Sequence, residues 1–96
     1  MSSQADLRVE GGVLYLSGVV DFDSVPDLMT RANSLGEVRF DTVDASALTK
    51  IDSAGVAFLV WLKKHFVGPG APLALRGAPE QLTRMVSVTG LDPVFG

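Results

Sequence analysis

Ninety-six residues, 47% of them hydrophobic, are enough for one packed core without covalent staples. The absence of cysteine excludes a disulfide framework, a thiolate metal site and a thiol nucleophile. Eight Lys and Arg stand against eleven Asp and Glu for a net charge of -3, and the bases are scattered apart from Lys63-Lys64. The clustered cations that displace counterions from nucleic acid, or hold a chain on an anionic lipid surface, are therefore missing.

The counts predict a single domain over 1–96. MSSQADLRVEGG has no basic segment followed by an apolar run, and no stretch approaches the roughly 20 apolar residues of a membrane span, so a cytoplasmic protein is expected. LRVEGGVLYLSG reads as a hairpin around Gly11-Gly12, with Leu7, Val9, Leu14 and Leu16 or their neighbours facing inward. In DFDSVPDLMTRANSLG, Pro26 in a first turn, Val25, Leu28, Met29, Ala32 and Leu35 at helical spacing, and Gly36 as a stop predict an amphipathic helix. EVRFDTVDAS alternates Val38, Phe40 and Thr42 against Arg39 and Asp41, which predicts a strand leading into a loop near Asp44.

TKIDSAGVAFLVWLKKH, Thr49 to His65, then reads as a strand end, a tight turn and a helix from about Ser53. At 100° per residue, Gly55, Leu59, Leu62 and Phe66 fall on one line, with Phe58 beside it, to pack on the sheet. Ser53, Ala57, Val60, Trp61 and Lys64 fall on the opposite side. A second, largely apolar stripe bordered by Lys63, Lys64 and His65 is patterned like an interface with a polar rim. PLALRG predicts a short strand. APEQLTRMVSVTG predicts a last helix with Pro79 at its start, Leu82, Met85 and Val86 on one face, and Gly90 past its end. The order of elements implies an α/β fold: a mixed sheet of about four to five strands with an N-terminal β-hairpin and about three helices against it.

Asp52 and Ser53 suit a helix cap, accepting hydrogen bonds from first-turn N–H groups. A serine hydroxyl at a helix start also suits a phosphoacceptor, because the free N–H groups and the helix dipole stabilise added phosphate. Asp44-Ala45-Ser46 followed by KIDSAGVAFLVWL resembles the signature of STAS domains, and the resemblance runs over nearly the whole chain. It implies that Ser53 is the family's key hydroxyl residue and Asp52 the acid before it. Gly55 is the glycine that permits close helix–sheet approach, and Asp21 and Asp44 support the signature loop.

The family includes anti-sigma factor antagonists, switched by phosphorylation of the signature serine, and MlaB-like subunits that bind the ATPase of the ABC transporter maintaining outer-membrane lipid asymmetry. The bulky GVAFLVWL helix and Trp61 are read as a permanent interface. The resulting expectation is a non-enzymatic accessory subunit on an MlaF-like ATPase of a phospholipid transporter, reaching the inner membrane only through that complex. The alternative is an anti-sigma factor antagonist, bound to a serine kinase or anti-sigma factor and controlled at Ser53. In either case the partner-binding residues are Asp52, Ser53, Ala54, Ala57, Val60, Trp61 and Lys64, with no cofactor, no metal and no nucleic acid. A triad is not visible, since the only histidine, His65, lies roughly 18 Å from Ser53 by helical rise. GPGAP lacks the Lys-Ser/Thr and following helix of a phosphate loop.

Overall fold

Gly11 and Gly12 carry φ angles of 59° and 79°, the two left-handed residues of a tight hairpin turn. They join β1 (Asp6–Glu10) to β2 (Val13–Val20), setting Leu7 opposite Leu16 and Val9 opposite Leu14. The computed structural model describes residues 5–95; residues 1–4, the start of the MSSQADLRVEGG stretch, and Gly96 lie outside the described residues. β3 (Thr42–Ile51) runs parallel to β2, and β4 (Ala74–Arg76) parallel to β3, in the spatial order β1-β2-β3-β4. Leu73 adds a single parallel bridge to Phe95.

The sheet is two-sided in chemistry. Leu7, Leu14, Leu16 and Val43 are buried, while Arg8, Tyr15, Asp44 and Arg76 of the opposite parity stay exposed or half-buried. Side chains alternate across a strand, so the helices cover one face only. These are α1 (Val25–Asn33), α2 (Ser53–Leu62) and α3 (Glu80–Val88). Leu28 and Ala32 of α1, Val56, Phe58, Leu59 and Leu62 of α2, and Leu82 and Val86 of α3 meet the strand leucines in one core.

Two expectations are corrected. The strand placed over Val38 to Asp44 lies later, over Thr42–Ile51, and runs straight through Asp44-Ala45-Ser46 into the signature turn. The reason is a pair of irregularities against β2. Three β3 residues span from Asp44 to Ala47 where β2 uses two, and two span from Leu48 to Lys50 where β2 uses one. The bulges re-aim the strand so that its buried positions are Val43, Ala45, Leu48 and Ile51. That spacing of two, then three, then three hides a strand from any strict alternation rule.

The helix expected to run straight to Phe66 stops at Leu62 and continues as a π-helical turn over Lys63–Val67. Gly68 N–H closes that turn on the Lys63 carbonyl at 2.8 Å, and Lys63 Nζ donates to the Gly68 carbonyl at 2.8 Å. Phe66 is half-buried and lies against Phe40, ring centroids 5.4 Å apart.

Candidate docking site at the start of helix α2

β3 delivers the chain to Asp52, which is held in extended conformation with its N–H on the Val20 carbonyl at 3.3 Å. Its two carboxylate oxygens do different work. Oδ1 accepts the Gly55 N–H at 3.1 Å and caps α2, while Oδ2 accepts the Phe22 N–H at 3.1 Å and ties the β2–α1 loop to the same turn. Ser53 takes no part in the capping. It is the first residue of α2, exposed, with no hydrogen bond to its hydroxyl among the described residues. Asp52 thus occupies the capping role that both residues were expected to share, and Ser53 is left open to solvent.

Gly55 is buried against the strand ends. A β-carbon there would lie 2.5 Å from Ile51 Cγ1 and 2.6 Å from the Val20 carbonyl oxygen. Only hydrogen fits, so the first turn of α2 can sit directly on the ends of β2 and β3.

Asp21 belongs to the adjoining loop. Its Oδ1 accepts the N–H groups of Asp23 and Ser24 at 3.1 and 3.0 Å, and Ser24 Oγ donates to the Val19 carbonyl at 2.9 Å. The carboxylate shapes the loop, and the contact with the signature turn is made by the neighbouring Phe22 backbone. Phe22 is 78% exposed, and its backbone N–H ties it to this turn. Sequence reasoning passed over it, although an aromatic residue between two aspartates, off the helical face, was a signal.

Along α2, Ser53 and Ala57 are exposed, Ala54 and Val60 half-buried, and Lys64 exposed in the π-helical turn. Trp61 adds ring contacts along its own helix. It is half-buried, stacked on Phe58 with centroids 5.9 Å apart and packed under His65 at 4.3 Å and Phe66 at 6.2 Å. His65 Nδ1 donates to the Trp61 carbonyl at 3.2 Å. Part of the indole therefore packs against the domain's own core, and the rest stays accessible on the stripe.

Asp44 lies apart from this turn. The register puts Arg8, Tyr15, Asp44 and Arg76 in one row across all four strands, on the face without helices. Asp44 Oδ1 accepts the Ser46 N–H at 2.9 Å and the Ser46 hydroxyl, bracing the first bulge, and Oδ2 accepts Arg76 Nε at 2.9 Å. The Arg8 guanidinium lies over the Tyr15 ring, 4.3 Å from its centroid.

A family model described as Mlab, STAS domain, matches residues 3–95. The chain belongs to the STAS family. Its fold is similar to the crystal structure of an anti-sigma factor antagonist from Mycobacterium paratuberculosis, at 23% identity and a TM-score of 0.67 over 96% of this chain and 81% of that one. It is also similar to the structure of the anti-sigma factor antagonist SpoIIAA in its unphosphorylated form, at 13% identity and a TM-score of 0.60 over 94% and 96% of the two chains. No curated protein sequence matches it.

Of the STAS positions read from the sequence, the fold gathers Asp52, Ser53, Ala54 and Gly55 at one turn with Asp21 in the loop beside it, and separates Asp44 from them. The hydrogen bonds from Ser46, then the Arg76 guanidinium, hold the Asp44 carboxyl below its ordinary value of 3.8. A group whose folded-state pKa is depressed contributes stability above its unfolded value and loses it as pH falls through the folded one. The stability advantage of the native protein over Asp44→Asn should therefore be full at neutral pH and shrink below about pH 3.8. Urea unfolding of both proteins at several pH values measures this. A gap that stayed constant into acid would assign Asp44 a purely steric role.

Proposed function

We propose that this STAS domain is a non-enzymatic docking module that binds a protein partner through the start of α2, and that Ser53 is the switch controlling it, as in an anti-sigma factor antagonist. The observation that carries this reading is the Ser53 hydroxyl: exposed, unbonded among the described residues, and at the first position of a helix whose cap is supplied by its neighbour. A phosphate there adds about -1.5 to -2 charges. The first-turn N–H groups favour it, while Asp52 beside it and any partner packed on Ala57 oppose it. Phosphorylation would thus release a partner without unfolding the domain. The two similar structures, both of anti-sigma factor antagonists, point the same way. The partner on this reading is a serine kinase or anti-sigma factor, met in the cytoplasm.

A second reading, the accessory subunit of a phospholipid-transport ATPase at the inner membrane, is favoured by the family model's description. Its main residue-level argument was Trp61 as an outward anchor, and the indole's stacking on Phe58 and under His65 weakens it. No helix among the described residues is long and apolar enough to cross a membrane, so on this reading contact with the bilayer would run through the transporter.

Intact mass of the protein from its native host, under several growth conditions, separates the readings. The expected result is a recurrent phosphate addition mapping to Ser53, with Ser53→Asp losing partner binding by about 30-fold or more, roughly 2 kcal/mol, and Ser53→Ala losing little. An unmodified mass in every condition, together with a co-purifying ABC ATPase, would overturn the switch and establish the subunit.

A further inference from the structure

Phe22 keeps 78% of its surface in water although its loop is firmly held. Its own N–H is bound by Asp52 Oδ2, the next two N–H groups by Asp21 Oδ1, and the Asp21 N–H by Ser24 Oγ at 3.0 Å. A fixed backbone presenting an exposed phenyl ring loses little freedom when that ring is buried by another molecule. Aromatic residues so placed are the usual anchors of protein interfaces.

The residues that bracket Phe22 in the chain are acidic, and the exposed Lys50, paired with Val19 in the sheet, is the base that register brings toward the same loop. Asp21 and Asp23 flank Phe22 and carry no salt bridge among the described residues, Asp52 holds its backbone, and Asp27 in the first turn of α1 pairs with Arg31 at 3.0 Å. The basic residues of the α2 side, Lys63, Lys64 and His65, lie at the far end of the stripe. We propose that Phe22 is the apolar plug of the docking site, and that its occupant is a protein offering an apolar socket rimmed by lysine or arginine. The proposal rests on the reading of α2 as a docking surface. The acidic collar repels a nucleic acid backbone or an anionic bilayer, and it favours a basic rim, so the charges also set the orientation of the partner along the stripe. Val88, 81% exposed on α3 between Ser87 and Thr89, has no such collar.

The test uses the full chain in its native host with a photoreactive benzophenone side chain at position 22, 57 or 88. Positions 22 and 57 are expected to capture the same protein, through a peptide at position 22 that is apolar and carries Lys or Arg, and position 88 to capture none of it. With that protein purified, Phe22→Ala should weaken binding at least ten-fold without changing the melting temperature. Phe22→Trp should retain binding, and raising the salt concentration should weaken the native complex. Capture at 57 but not at 22, a Phe22→Ala protein that binds like the native one, or a salt-independent affinity would overturn this proposal alone. Capture at neither position would overturn the docking reading with it.

Discussion

Gly55→Val is expected to unfold the domain or leave it near its melting point at room temperature. The added β-carbon would sit 2.6 Å from the Val20 carbonyl oxygen, a backbone atom that cannot rotate away, and 2.5 Å from Ile51 Cγ1. Helix propensity argues the other way, since glycine in a helix is worse than alanine by about 1 kcal/mol. Overpacking of a tight site costs about 1–3 kcal/mol and more where backbone must shift, so the steric effect wins. Gly55→Ala should therefore destabilise by roughly 1–2 kcal/mol net, with Gly55→Val well beyond it. Thermal melts of the two variants give the order. An alanine variant more stable than the native chain would mean that α2 can lift off the strand ends, and the close approach would lose its structural importance.

Leu59→Ala should cost about 2–5 kcal/mol, because the side chain is fully buried between α2 and the sheet and its removal leaves a cavity. Against a total stability of about 5–15 kcal/mol for a domain of this size, that is a large fraction. Trp61→Ala makes an informative comparison. A freely exposed docking anchor would be lost with no change in stability, whereas an indole stacked on Phe58 and under His65 should take about 1–3 kcal/mol with it. Chemical denaturation of both variants beside the native chain measures the pair. Equal stability of Trp61→Ala and native protein would return the indole to the docking surface and strengthen the transporter-subunit reading.

Whatever depended on neighbours in sequence was legible from the residues alone. Gly11-Gly12 set the hairpin because only residues free to adopt positive φ close so tight a turn. Pro26 and Gly36 bracket α1, and Pro79 and Gly90 bracket α3, because one residue suits a first turn and the other ends a helix. Asp52 announced the start of α2 through a side chain that reaches an N–H three residues on. The signature's family likeness lay in the same local run, from Asp44 to Leu62.

The remaining features arise between segments far apart in the chain, where periodicity carries no information. β3 has its length and its bulges because β2 pairs with it, and the bulges move its buried residues off a period of two. Asp44 left the signature turn because register, which only strand pairing defines, set it between Tyr15 and Arg76. Phe22 came to the edge of the docking site through one hydrogen bond to Asp52, thirty residues away, and no local rule predicts a bond whose partners meet only when the sheet has formed.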